Sequence, residues 1–192
     1  KGFLGRRMVI PSEVGGKAVS GVSASAFANC SDVKSLDVAT GVKFIGECAF
    51  SGCGELVSVS LPTTLTTIAT GAFDGTAITE LVVPASVTTI GDLDLRGLKT
   101  LRFLGKPTYI ENLRLSPDCI VYVPQDAGQD AGWEEDAPSA DWYGGQLEYW
   151  VDFEYELIGN AVLIKGCGLI PPDGRLRIPE RIDGFPVMAI DE

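Results

Sequence analysis

Hydrophobic and polar positions repeat with a fixed period along the first half of the chain. The pair Ala-Phe returns every 23 residues, preceded by an aliphatic residue and followed about ten positions later by a short aliphatic strand. The three pairs are Ala26-Phe27, Ala49-Phe50 and Ala72-Phe73. Such a period is typical of a solenoid, in which stacked coils bury an apolar face that one coil cannot bury alone. We therefore predict a mainly β solenoid with coils of about 23 residues and a stacked parallel sheet.

Strand residues alternate between apolar and polar types, so each strand has one predicted inner face and one outer face. The predicted inner positions are Leu36, Val38, Val59, Leu61, Leu81, Val83, Leu101, Phe103, Val121 and Val123. One outward column is then Asp37, Ser60, Val82, Arg102 and Tyr122, and the next is Ser35, Ser58, Glu80 and Thr100. The candidate partner-binding residues are Asp37, Ser60, Glu80, Val82, Arg102 and Tyr122. Arg102 and Tyr122 have the side chains in which interface energy concentrates. The alternative is that all six are ordinary solvated strand positions.

The pattern changes in the fourth coil, where Asp94-Leu95 replaces the Ala-Phe pair. We expect this coil to lie near an end of the stack, since terminal repeats depart from consensus. Asp92 and Asp94 are too few for a calcium loop and are interpreted as polar turn residues. An aromatic hairpin around Gly144-Gly145 is predicted to close the solenoid. A carbohydrate-binding role remains as an alternative for the nearby rings of Trp133, Trp142, Tyr143 and Trp150.

The end of the chain repeats its beginning. Residues 178–190 align with residues 10–22 at a constant offset of 168. We predict a first domain, 1–150, that holds the solenoid and its capping hairpin, and a second, 151–192, that is the opening segment of another repeat module. The second domain should begin with a hairpin around Gly159-Asn160. The chain also lacks an initiating Met, and we expect it to be a piece of a longer tandem array.

Composition narrows the function classes. The net charge is −11, but the first 125 residues hold eleven acids and eleven bases, so no basic surface for nucleic acid is expected. No apolar stretch is long enough to cross a membrane. Because the chain has no histidine, Ser-His and Cys-His nucleophile pairs are excluded; we predict no enzyme, no cofactor and no metal site. Cys30, Cys53 and Thr76 occupy the same position in successive coils. For the two cysteines, packing as buried free thiols is favoured over a disulfide.

The second coil, Phe44-Ile45-Gly46-Glu47-Cys48-Ala49-Phe50-Ser51-Gly52-Cys53, followed by Leu56, Val59, Leu61 and Pro62, resembles the BspA-like leucine-rich repeats. The resemblance implies leucine-rich-repeat coils in a secreted or surface-exposed bacterial or protozoan protein. Some relatives are adhesins that bind host extracellular proteins, and no catalytic motif transfers. We therefore expect a non-enzymatic adhesion or protein-binding module outside the cell, with extracellular or host proteins as partners. The alternative is a structural spacer or stalk in a larger surface protein.

Overall fold

The computed structural model describes residues 6–124, 141–142, 145–150, 153–158, 161–167, 181–182 and 185–190. These residues form nineteen β-strands and no helix. The strands are β1 (Arg6–Ile10), β2 (Glu13–Val14), β3 (Lys17–Ala18), β4 (Gly21–Val22), β5 (Val33–Val38), β6 (Phe44–Ile45), β7 (Ser58–Ser60), β8 (Thr67–Ile68), β9 (Glu80–Val83), β10 (Thr89–Asp94), β11 (Thr100–Phe103), β12 (Tyr109–Arg114), β13 (Ile120–Pro124), β14 (Asp141–Trp142), β15 (Gly145–Trp150), β16 (Phe153–Ile158), β17 (Ala161–Cys167), β18 (Arg181–Ile182) and β19 (Phe185–Ile190). The predicted solenoid is confirmed, with about five turns.

The predicted parallel sheet is present in two hydrogen-bonded parts, ordered β1-β5-β7 and β14-β15-β13-β11-β9. β7 lies beside β9 without joining it in one ladder. The predicted inner residues are buried except Val59 and Leu61, which are half-buried at this break. The predicted aromatic hairpin is also confirmed, because β14 and β15 pair antiparallel, with Trp142 opposite Gly145.

A second parallel sheet, ordered β4-β6-β8-β10-β12, runs along the aliphatic corners of the coils. The sequence analysis noted an aliphatic residue at each corner and predicted no strand there. Coils stacked in register bring the corner residues into parallel pairs, Val22 with Ile45 and Ile45 with Ile68. Gly46 lies directly after one corner, and a Cβ there would meet backbone atoms of the preceding coil at 2.7 to 2.8 Å. Its lack of a side chain therefore allows the two coils to approach closely.

The Ala-Phe turns form a ladder between the two sheets. The amide of Phe27 donates to the carbonyl of Ala49, and that of Phe50 to the carbonyl of Ala72, each at 2.9 Å. The Phe50 ring lies between two other rings, with centroid distances of 5.5 Å to Phe27 and 5.8 Å to Phe73. Phe50 and Phe73 are fully buried. The repeated dipeptide is therefore the centre of the core in the first three coils.

The later coils are shorter and lose this turn. Leu36 pairs with Val59, whereas Leu81 pairs with Leu101, which is closer in the sequence. In the shorter coils, an extended strand, β10 or β12, stands where the first three coils have the Ala-Phe turn. The interpretation of Asp92 and Asp94 as turn residues is therefore wrong, because both lie in β10.

Contacts divide the chain into two compact units, of which the first contains the stacked coils and the second contains β16 to β19. Within the second unit the strand order is β16-β17-β19-β18. The predicted hairpin is present, since β16 and β17 pair antiparallel, with Ile158 opposite Ala161. The boundary at residue 150 remains a prediction. None of the residues that the structure describes belongs to a helix of the length and hydropathy that crossing a membrane requires.

Candidate functional site

The outer face of the first parallel sheet carries two registered columns of side chains. The first column, in chain order, is Val9, Asp37, Ser60, Val82, Arg102 and Tyr122. Strand pairing places Val9 beside Asp37, Asp37 beside Ser60, Val82 beside Arg102, and Arg102 beside Tyr122. β7, which carries Ser60, lies beside β9, which carries Val82, without a ladder between the two strands. Strand pairing therefore aligns the five outward residues named from the sequence in two groups, Asp37 with Ser60, and Val82 with Arg102 and Tyr122.

Exposure differs along the first column. Ser60 is exposed and Val82 keeps 46% of its surface accessible, whereas Asp37, Arg102 and Tyr122 are half-buried. A valine this exposed on a strand does no packing for the core, and its solvation is unfavourable. Exposed Val82 lies beside half-buried Arg102, which in turn lies beside half-buried Tyr122. These three residues are the part of the face best suited to anchor a partner.

The second column is Arg7, Ser35, Ser58, Glu80, Thr100 and Ile120. Glu80 is exposed and pairs with Thr100, so it lies beside the first column and not within it. Ser35 and Ser58 pair with each other in the coils before it. The hydroxyl side chains of this column are short, so Glu80 is the charged side chain that extends furthest from the sheet in the middle coils.

Two contacts order the polar side chains of the face. The guanidinium carbon of Arg102 lies 5.0 Å from the ring centroid of Tyr122, a cation–π geometry. At the other end, Arg7 Nε donates a hydrogen bond to Asp37 Oδ2 across the two columns. The charged members are then two cations, Arg7 and Arg102, and two anions, Asp37 and Glu80. The face is electrically balanced although the whole chain is acidic.

Sequence reasoning missed Arg7 and Val9 because it started the first coil at Ile10, after the strand that carries them. The alternation of Val9 and Ile10, exposed and buried, continues the pattern of Asp37 and Val38. The 23-residue period does not reach them, because Val9 pairs with Asp37 and Arg7 with Ser35, each 28 residues apart; only the alternation within the strand marks both. The second sheet was missed as well, and it exposes Phe44 and Tyr109 in one register with Thr67 and Thr89.

The carboxylates of the fourth coil are engaged in ion pairs. Arg114 Nη1 lies 2.8 Å from Asp92 Oδ1, and Arg96 donates side-chain hydrogen bonds to Asp94. The hydrogen bond from Arg96 lowers the pKa of the Asp94 carboxyl. In the part of the chain that the structure describes, no three His, Cys, Asp or Glu side chains are grouped to hold a metal ion.

Four cysteines of the described residues, Cys30, Cys48, Cys53 and Cys119, are free thiols, as favoured for Cys30 and Cys53. Cys53 Sγ is buried and donates to the carbonyl of Phe27 at 3.1 Å. Burial raises the pKa of the Cys53 and Cys119 thiols. This keeps both groups protonated and poor as nucleophiles.

The aromatic residues of the carbohydrate hypothesis lie at the edge of what the structure describes. Trp133 and Tyr143 are outside the described residues, and Trp142 and Trp150 are described as strand positions only. Carbohydrate binding by these residues therefore remains a prediction from the sequence.

The BspA type leucine rich repeat region matches residues 17–114 in six copies. The chain belongs to this family. The match covers the coils that carry most of both columns, and the predicted resemblance is confirmed. No curated protein matches this BspA-type chain.

Solved structures are similar to this BspA-type chain. The pneumococcal vaccine antigen PcpA aligns with a TM-score of 0.53 and 20% identity, over 74% of this chain and 41% of that one. A leucine rich cell surface protein from Faecalibacterium prausnitzii A2-165 gives 0.44 and 23%, over 56% and 40%. A leucine rich repeat protein from T. pallidum gives 0.43 and 23%, over 62% and 73%. The BspA-type chain spans about two fifths of the length of the first two.

Proposed function

We propose that the solenoid is a non-enzymatic protein-binding module of a secreted or cell-surface protein, and that it binds extracellular or host proteins through the outer face of the first sheet. The observation that carries the proposal is the first column, where exposed Val82 adjoins the stacked pair of Arg102 and Tyr122. Family membership supports the location and the adhesive role. The module needs no cofactor for this function.

The chemistry of the face suits a protein partner. Arg and Tyr dominate interface energies because they bury a large area and keep hydrogen-bonding groups at their tips. Tyr122 orders the Arg102 guanidinium before binding, which lowers the entropy that association must overcome. Ser60 and Ser58 are small, so a partner can approach the strands closely on one side of the anchor pair.

A binding screen tests the proposal. The chain is immobilised and exposed to extracellular-matrix and plasma proteins at physiological salt, together with an Arg102→Ala/Tyr122→Ala variant. The matched control is Lys43→Ala/Tyr109→Ala, which removes an exposed cation directly before β6 and an exposed tyrosine in β12 of the second sheet. Saturable binding that is lost in the first variant and kept in the control supports the proposal.

Two other outcomes contradict it. Binding that is lost only in the Lys43→Ala/Tyr109→Ala variant would move the interface to the second sheet. Absence of binding by the folded chain would favour a spacer or stalk. That second candidate is supported by the opening hairpin, because β2–β3 and the aligned segment in β18–β19 have the same pairing. Tandem modules of this kind add reach and avidity to a longer protein.

A further inference from the structure

Two copies of one sequence segment have different neighbours in the two units. Glu13 pairs with Ala18 and Val14 with Lys17, and their counterparts pair in the same way, Arg181 with Pro186 and Ile182 with Phe185. All four counterparts follow the constant offset that aligns the end of the chain with its beginning. The pairing therefore shows that the repeated sequence forms the same local structure in both units.

In the second unit, the second strand of this hairpin also pairs with a strand from earlier in the chain. β19 pairs in parallel with β17, with Leu163 opposite Ala189 and Ile164 opposite Ile190. The first-unit counterparts of Ala189 and Ile190 are Gly21 and Val22, which form β4.

In the first unit, β4 pairs only with the next coil. Gly21 lies opposite Phe44 and Val22 opposite Ile45, and β4 is the edge strand of its sheet within residues 6–124. An edge strand is a template for another strand. Within residues 6–124 the side of β4 away from β6 has no partner strand, so it can accept a strand that pairs in parallel as β17 pairs with β19.

The same end of the stack leaves apolar surface uncovered. Ala49 and Phe50 are fully buried, whereas Ala26 is exposed and Phe27 is half-buried. Among the described residues, the Phe27 ring stacks on Phe50 alone. A segment that docks here would cover apolar area as well as extend the sheet.

We propose that the β4 edge and the neighbouring end of the Phe stack form a docking surface for a β-hairpin of the kind made by β16 and β17. The occupant is a segment with the sequence of residues 151–168. Residue 168 directly precedes the counterpart of Lys1, so this segment joined to Lys1 reproduces the register of the second unit. Binding is by strand addition, in which main-chain hydrogen bonds give affinity and alternate side chains give specificity.

The test is the full chain with a second copy of residues 151–168 fused directly ahead of Lys1. We expect the Tm of the solenoid to rise by several degrees and amide exchange at Gly21, Val22 and Phe27 to slow at least about tenfold, the change that a tenfold shift in the opening equilibrium gives. The matched control carries Leu163→Pro in the added copy alone, because proline removes the amide donor of that strand. The control should resemble the unfused chain in both measurements.

Equal Tm and exchange in the fusion, the control and the unfused chain would overturn the proposal. A synthetic peptide of residues 151–168, added in trans to the unfused chain, gives a second measurement if the fusion folds poorly, and unchanged exchange at Gly21 and Val22 with excess peptide would also overturn it. Concentration-dependent self-association of the unfused chain that the fusion abolishes would support the docking surface, with the hairpin of a second copy as occupant.

Discussion

Replacement of Phe50 by alanine removes the middle ring of the Phe stack. Phe50 is fully buried and its ring contacts two others, at 5.5 and 5.8 Å between centroids, with interplanar angles of 9° and 7°. Its turn is held on both sides by amide-to-carbonyl hydrogen bonds from neighbouring coils, so the cavity left by the ring has little freedom to collapse.

A rigid cavity places the cost at the upper part of the usual range. Truncation of a buried Phe to Ala lowers the free energy of unfolding by about 3–5 kcal/mol, and each lost aromatic pair accounts for about 0.5–1.5 kcal/mol of such a change. Phe27 is half-buried and has one stacked partner among the described residues. The Phe27→Ala variant should therefore lose about 1–2 kcal/mol, in proportion to the smaller area that it buries.

Urea unfolding followed by circular dichroism compares the two variants with the parent chain. Amide exchange at Ile45 and Ile68 gives a second reading that reports on the stacked coils alone. We expect Phe50→Ala to shift the unfolding midpoint well below that of Phe27→Ala. Equal losses in the two variants, or a loss under about 1 kcal/mol at Phe50, would refute the inference that the stack forms the rigid centre of the core.

Three other changes give separate tests. The pKa of the Asp94 carboxyl is lower in the folded chain than its ordinary value of 3.8, so the ionised group stabilises the fold above that pH. This contribution is lost as the pH falls through the folded pKa. Asp94→Asn should therefore lose less of its thermal stability on acidification than the parent chain does. Gly46→Ala should lower the Tm through a Cβ that meets the preceding coil, at a cost of about 1–3 kcal/mol. In a Cys167→Ser background, a thiol reagent should label exposed Cys48 first and buried Cys53 only upon unfolding, as peptide mapping would show.

The long-period features of the fold could be predicted from the sequence because each leaves a strong side-chain signal. Leu36, Asp37 and Val38 alternate as a half-buried strand must, and the Ala-Phe pair marks every turn of the first three coils. The same alternation places the outward column that forms the candidate site. Its register follows from the alternation in each strand and not from one coil length, because paired residues are 23 apart at Asp37 and Ser60 but 20 apart at Val82 and Arg102.

The features that were missed leave no such signal. Phe44–Ile45 is a strand of two residues, too short for alternation to be visible, and it exists because the neighbouring coil supplies a partner. Asp92 lies in a strand because the shortened coil has an extended segment in place of the Ala-Phe turn. Its ion pair joins it to Arg114, 22 positions away in the sequence. Both features depend on neighbouring coils and not on local preference.

The change from longer to shorter coils determines how this protein could lengthen in evolution. Duplication of residues 40–62 would insert one more coil whose Phe ring and left-handed turn positions, such as Gly52, match the coils on both sides. Duplication of a shorter coil between the Phe-bearing ones would interrupt the ring ladder. We therefore expect such arrays to vary in length mainly through their Phe-bearing coils, and to vary least at the junction between the two coil types.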